Sequence, residues 1–196
     1  MKHLVIVVLF LATFFSCKQA TNKGYKPEII STEIDSIKSF SVIEKDSAYV
    51  LTYICSKQNL PNGTIVFRYS NEKENFAFLY DTANRIYKGV FNRADTITLD
   101  LEVLKFYSVN GKDYKLLKLI GNKNVTDGGM LFFFNPDFGL LISQSNTWRF
   151  GKIFNPEKNS IDYVQITALI YKILTDESMF APPLTKIKKY TFPKFE

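Results

Sequence analysis

Residues 95–120, DTITLDLEVLKFYSVNGKDYKLLKLI, predict a β-hairpin. Apolar and polar residues alternate in its first half, which is typical of a strand with one buried and one solvated face. The apolar set is Ile97, Leu99, Leu101 and Val103, and the polar set is Thr98, Asp100 and Glu102. Asn110-Gly111 follows, and both residues tolerate the positive φ of a type I′ turn. Residues 113–120 then form the return strand, so an antiparallel sheet is expected.

The sequence before this hairpin contains further short strands. They are rich in β-branched and aromatic residues and are separated by only a few turn residues, so we expect each to pair with its neighbour in a meander. The predicted strands are residues 40–45, 48–55, 64–69, 76–81 and 85–90, while residues 28–38 give no clear pattern.

The sequence after the hairpin changes character. Residues 130–134 and 139–142 are continuously apolar, which indicates strands buried on both faces. A helix over residues 160–174, with Asn159 as its N-cap, is the expected cover, although its β-branched content also permits a strand. Its predicted apolar stripe is Ile161, Val164, Ala168, Leu169 and Ile173.

Two further segments complete the predicted domain. Residues 147–154 form a strand beside the apolar hairpin, with Trp148 in the core rather than serving as a ligand platform. Residues 186–194 form a basic edge strand protected by lysines, the alternative being a site for acidic lipid or glycan. Residues 28–196 are therefore expected to form a single mainly β (α+β) domain. Its fold is an antiparallel meander of about ten strands, a sandwich or half-barrel, with one C-terminal helix packed on the sheet.

The N-terminus, MKHLVIVVLFLATFFSC, has the pattern of a secretory signal over residues 1–16. Its 12-residue apolar run spans about 18 Å as a helix, against roughly 30 Å for a bilayer core. Ser16-Cys17 resembles a bacterial lipoprotein box, which implies that Cys17 is lipidated and that residues 17–27 form an anchor and tether. The alternative is an ordinary cleaved signal with an incidental cysteine.

A second resemblance lies within the domain, from Asp127-Gly128-Gly129 through Phe134 and Ser143 to Trp148. This segment resembles one in small, uncharacterised lipoproteins of the Bacteroidetes, which implies kinship and no particular activity. Together with the absence of an acidic cluster after Cys17, the resemblance implies an exported protein anchored to the outer membrane, on its periplasmic face.

Composition excludes several functions. Without residues 1–16 the chain has 24 basic and 19 acidic side chains and no histidine. Mechanisms that need imidazole, including Ser-His nucleophiles and HExxH zinc sites, are therefore excluded. Cys55 lies in an apolar run, which favours a small buried hydrophobe. Only four of the basic residues are arginine, and an exported chain rarely meets nucleic acid, so no nucleic-acid partner is expected.

The remaining clusters favour no catalytic site, metal or cofactor. Asp127 beside two glycines predicts a turn rather than a cation site. Asp100 and Glu102 are a carboxylate pair on the wet face of one strand, where solvation explains them. Asp-Ser/Thr followed by Ile or Ala resembles the O-glycosylation signal of Bacteroidetes periplasmic proteins. It predicts possible modification at Ser36, Ser47, Thr82 and Thr96, although Asp-Ser/Thr is also common in turns.

Three functions remain open on the sequence. The first is a non-enzymatic envelope lipoprotein with a binding or structural role, whose partners would be the membrane and an envelope protein. The second is a periplasmic carrier of a lipid or other hydrophobic ligand. The third is a hydrolase that works without histidine. An apolar cavity of roughly several hundred Å³ would favour the carrier, and a filled core would exclude it.

Overall fold

A computed structural model describes residues 31–41, 50–92, 95–124, 129–147 and 151–180. These residues form ten β-strands and one α-helix. The strands are β1 (Ser31–Ser41), β2 (Val50–Asn59), β3 (Thr64–Ser70), β4 (Asn75–Asp81), β5 (Ile86–Phe91), β6 (Asp95–Val109), β7 (Lys112–Gly121), β8 (Met130–Asn135), β9 (Gly139–Ser145) and β10 (Gly151–Pro156), and the helix is α1 (Tyr163–Thr175).

The sheet is an antiparallel meander, as the sequence predicts. From β2 to β10 each strand pairs with the next along the chain, and this nine-strand sheet curls strongly. β1 pairs with both β2 and β10, which closes the curled sheet into a barrel rather than a sandwich. The mainly β fold with one C-terminal helix is confirmed.

The N-terminal part of the sheet differs from the prediction. β1 covers Ser31–Ser41, most of which lies in the stretch without a clear sequence pattern. Of the strand predicted at 40–45, residues 40 and 41 belong to β1, and the others lie outside the described residues. The local sequence does not predict β1, because this strand is held by two others, one of them distant in sequence. Trp148 and residues 186–194 lie outside the described residues.

A β-bulge interrupts the predicted alternation of β6. The register with β7 shifts between Leu101 and Val103, so the residues beyond Glu102 have the opposite parity. Ile97 and Leu99 face the interior, but Leu101 is 42% exposed, which corrects its assignment to the buried face. Val103 packs on the other face of the sheet.

Two apolar clusters lie on opposite faces of the barrel wall. The inner one fills much of the barrel with aromatic side chains such as Phe67, Tyr69 and Phe134. The outer one lies between α1 and the strands and contains Leu116, Ile153 and other fully buried residues. β8 and β9 are therefore buried on both faces, as their unbroken apolar runs predict.

The helix begins three residues later than predicted. Asp162, not Asn159, occupies the N-cap position, and its side chain makes no capping hydrogen bond. The backbone N–H of Tyr163 donates to the Ser160 carbonyl at 3.1 Å, so residues before it form a turn instead of helix. As a result Ile161 is 92% exposed and Val164 is 49% exposed, which corrects the predicted stripe.

The observed buried face of α1 has helical spacing. It consists of Ile166, Thr167, Leu169, Ile170 and Ile173. Thr167 also forms a buried hydrogen bond with the side chain of Asn155 on β10, at 3.2 Å. Among the residues that the structure describes, no helix is long and apolar enough to span a membrane.

A polar cluster ties the end of the helix to β6. The carboxylate of Asp176 accepts hydrogen bonds from Lys105, Ser178 and Tyr107. The Lys105 ammonium, followed by these two hydroxyls, holds the pKa of Asp176 well below its usual value of 3.8. Burial and the adjacent carboxylate raise the pKa of Tyr107, so its hydroxyl remains a donor at neutral pH.

Candidate functional site

A cavity of about 480 Å³ lies inside one end of the barrel. Because the sheet is an antiparallel meander, the connections β3–β4, β5–β6, β7–β8 and β9–β10 all lie at the same end. The cavity is lined by the first residues of β4, β6, β8 and β10 and the last residues of β5 and β9, so it lies at this end. We call it the barrel cavity.

The wall of the barrel cavity is aromatic. Phe76 and Phe78 alternate along β4, so both point inward. The Phe78 ring meets Phe132 edge-on at 5.1 Å between centroids, and the Phe91 ring stacks on Phe132 at 6.0 Å. Phe154 completes the wall from β10, with its centroid 6.0 Å from that of Phe76.

Glycine at inward positions lets these rings approach one another. A Cβ atom at Gly121 would lie 2.8 Å from Cδ1 of Ile97 and 3.3 Å from the Phe132 ring. A Cβ atom at Gly89 would lie 2.8 Å from the Phe91 ring. Real Cβ atoms do not approach this closely, so a side chain at either position would shift these neighbours.

The floor of the cavity is fixed by a buried tyrosine. Leu140 lines the cavity, and its backbone N–H donates to the hydroxyl of Tyr69 at 2.7 Å. Tyr69 is fully buried, and burial raises its pKa well above the usual value of 10.0, so the hydroxyl stays protonated. Below it the rings of Phe67 and Phe134 meet at 5.3 Å. Among the described residues the interior is therefore packed at this depth, and the cavity lies between this layer and the mouth.

Three polar side chains meet at the mouth. The Glu74 carboxylate lies 3.3 Å from the ammonium of Lys152 and also accepts a hydrogen bond from the Tyr53 hydroxyl. Tyr53 is fully buried, whereas Glu74 and Lys152 are 35% and 42% exposed. Glu74 and Lys152 line the cavity together with the polar residues Ser143, Asn122 and Asp95, whereas Tyr53 lies behind this lining. An apolar chamber with a polar rim is a binding geometry for an amphipathic or apolar molecule.

The residues predicted from sequence as modification sites do not meet at this cavity. Ser36 lies in β1 opposite Ile54, and Thr96 is exposed on β6. Thr82 is exposed in the β4–β5 turn, where its hydroxyl donates to the Gly63 carbonyl at 2.9 Å. Cys17 and Ser47 lie outside the described residues. Glycosylation and lipidation therefore stay predictions.

The other sequence candidates lie apart from the cavity. Asp100 is exposed, and Glu102, at the bulge, forms an ion pair with Lys118 at 3.1 Å. Cys55 is buried in the inner cluster, which confirms its predicted burial. In the described ranges no group of three or more His, Cys, Asp or Glu side chains could hold a metal ion.

Comparison with known proteins adds no identity. No protein-family model, curated protein or solved structure matches the chain significantly. The cavity and its rim are therefore the features of the molecule that bear on its function.

Sequence reasoning missed the residues that build this site. It left open a carrier with an apolar cavity, but it did not select Phe76, Phe91, Phe132 or Phe154. Alternation along β4 is the one local signal that could have identified Phe76 and Phe78 as neighbours on one face. Glu74 lies in a charged turn and is 78 residues from Lys152, so no local pattern pairs them.

Proposed function

We propose that this protein is a non-enzymatic, exported lipoprotein that carries a hydrophobic ligand in the barrel cavity. The N-terminal signal and Cys17 support an anchor on the periplasmic face of the outer membrane. The proposal of a carrier rests on one observation: the barrel interior is filled at the depth of Tyr69 but open at the mouth, with an aromatic wall.

The size and chemistry of the cavity support this function. Ligand pockets usually have volumes of roughly 300–1,000 Å³ and are lined mainly by apolar side chains with a few polar groups. The barrel cavity, at about 480 Å³, is within that range. A purely structural barrel would gain stability by filling such a space, because packing at the interior normally leaves few voids larger than a water molecule.

A neutral fluorophore tests the proposal directly. N-phenyl-1-naphthylamine fluoresces more strongly in apolar surroundings, so titrating it into the purified protein should give a saturable increase with one site per chain. Ser143→Phe should weaken this binding at least about tenfold, because Ser143 lines the cavity and a ring there would occupy it. Ser108→Phe, on an exposed β6 position at the other end, is the matched control.

The two variants separate the possible outcomes. Loss of binding in Ser143→Phe alone supports a site in the barrel cavity. Equal binding in both variants would place the fluorophore elsewhere, and no saturable binding by the wild type would exclude the carrier. The latter result would leave an interaction or structural role for the lipoprotein.

The anchor and the ligand can be examined together in protein taken from its own membrane. A native mass spectrum should show a chain that begins at an acylated Cys17, together with a noncovalently bound molecule. A mass that begins at residue 17 without acyl chains, or later, would contradict the anchor. Additional mass in hexose steps would support the glycosylation predicted at Ser36, Ser47, Thr82 and Thr96.

A further inference from the structure

The polar cluster Tyr53–Glu74–Lys152 spans the mouth of the barrel cavity. Lys152 lies on β10 and Tyr53 on β2, whereas Glu74 lies in the turn between β3 and β4. In the order of strands around the barrel, β1, β2 and β3 separate β10 from β4. The contact between Glu74 and Lys152 therefore crosses the opening instead of following one pair of strands.

Two donors in this cluster converge on one oxygen atom. The hydroxyl of Tyr53 and the ammonium of Lys152 both reach Oε1 of Glu74. Tyr53 packs behind the aromatic wall, with its ring centroid 5.4 Å from Phe76 and 5.9 Å from Phe154. Its hydroxyl is fully buried and needs an acceptor, because an unsatisfied buried hydroxyl costs about 1–3 kcal/mol. The cluster is thus a site for an anionic oxygen at the edge of an apolar chamber.

Glu74 is the residue of the cluster whose side chain can turn away from the other two. Tyr53 and Lys152 are placed by the register of their strands with β1 and β9, while Glu74 belongs to a short turn and its side chain is already 35% exposed. If its carboxylate turned outward it would be hydrated, so the exchange would cost little. The vacated position would hold the anionic group of a molecule whose apolar part lies between Phe76, Phe91 and Phe132.

We infer that the ligand of the barrel cavity is an amphipathic anion, an acyl chain with a terminal carboxylate that replaces Glu74 as the acceptor of Tyr53 and Lys152. This inference rests on the proposed function and adds the class of ligand. A cationic head group at the position of the Glu74 carboxylate is disfavoured, because it would lie beside Lys152, the only cation among the described lining residues. Asp95, the other carboxylate of the lining, is exposed at the start of β6, four strands from β10.

Matched twelve-carbon ligands test the class of head group. Dodecanoate, 1-dodecanol and dodecylammonium, each below its micelle concentration, should displace N-phenyl-1-naphthylamine from the full mature chain. We expect dodecanoate to bind at least about tenfold more tightly than 1-dodecanol, and dodecylammonium to bind most weakly.

Single substitutions identify the groups that recognise the anion. Lys152→Met should reduce the preference for dodecanoate over 1-dodecanol to about twofold or less, and Tyr53→Phe should reduce it in the same direction. Glu74→Gln should strengthen dodecanoate binding several-fold, because the Glu74 carboxylate no longer competes with that of the ligand. The affinity for 1-dodecanol should stay the same. Lys88→Met, on an exposed position of β5, should leave all affinities unchanged.

The neutral fluorophore keeps this inference separable from the proposed function. If the fluorophore does not bind the wild type, the carrier itself is excluded. Alternatively, the fluorophore binds while dodecanoate and 1-dodecanol compete equally, or while dodecylammonium competes best. Either result would support a binding site in the barrel cavity and contradict the inference that its ligand is an anion. Weaker dodecanoate binding in Glu74→Gln would likewise contradict the proposal that the ligand carboxylate replaces that of Glu74.

Discussion

Two hairpin glycines allow the packing beneath the cavity floor to be measured against an internal control. Gly111 and Gly139 both have positive φ, at 76° and 84°. A Cβ atom at Gly111 would meet nothing within 4 Å, whereas one at Gly139 would collide with the Tyr69 hydroxyl and lie 2.7 Å from the Phe67 ring. Gly111→Ala therefore tests backbone conformation alone, and Gly139→Ala adds the collision.

The expected costs follow from this difference. A left-handed conformation costs a residue with a Cβ atom about 1–2 kcal/mol, and both variants bear this cost. Overpacking at Gly139 adds about 1–3 kcal/mol. If Tyr69 moves away, the buried N–H of Leu140 loses its acceptor, which adds a further 1–3 kcal/mol or so. Gly139→Ala should therefore lower the free energy of unfolding by about 2–6 kcal/mol more than Gly111→Ala.

Urea unfolding followed by far-UV circular dichroism gives both values, since the loss appears as a lower midpoint. The Tyr69→Phe background provides a second check, because removing the hydroxyl removes the closest collision. In that background Gly139→Ala should lower the free energy of unfolding by less than it does in the wild type. It should still lower it, since the Phe67 ring remains close to the new Cβ atom. Equal costs for the two glycine variants, or no relief from Tyr69→Phe, would refute the described packing of the floor.

Four further substitutions test the outer face of the sheet and the polar cluster at the end of the helix, each by urea unfolding. Leu169→Ala should lower the free energy of unfolding by about 2–5 kcal/mol, because Leu169 is fully buried, whereas Ile161→Ala should change it by less than about 0.5 kcal/mol. Thr167→Val should cost about 1–3 kcal/mol, since it leaves the buried amide of Asn155 without this partner. The depressed pKa of Asp176 means that its stabilisation is present above its usual pKa of 3.8 and is lost as the pH falls below it. Between pH 5 and pH 3 the wild type should therefore lose more stability than Asp176→Asn; equal losses would contradict this.

Much of the meander could be predicted because its signals are local. The Asn110-Gly111 turn and the alternation before it place β6 at its observed bounds, and β3 and β4 end within a residue of their predictions. The closure of the barrel had no such signal. β1 pairs with β10 more than a hundred residues later, and a mixed sequence such as that of Ser31–Ser41 becomes a strand through those partners.

The site was harder to predict because inward and outward faces cannot be distinguished in a continuous apolar run. Phe132 lines the cavity while Phe133 packs under the helix, although both are phenylalanine in the same strand. Bulges at Leu101/Val103 and at Phe133/Phe134 shift the register as well. Each bulge inserts one residue, and neither location contains a glycine that would signal it.

The two clusters also explain why the barrel can keep an open cavity. The outer cluster buries several side chains completely, among them Leu116, Ile153, Leu169 and Ile173. Each such burial contributes about 1.5–3 kcal/mol, and none of it depends on filling the barrel. The same packing supports β8, β9 and β10 from outside, so the wall that holds Phe132 and Phe154 is braced against collapse into the cavity. A helix on the outer face is thus a physical reason why the barrel can keep a space on its inner face.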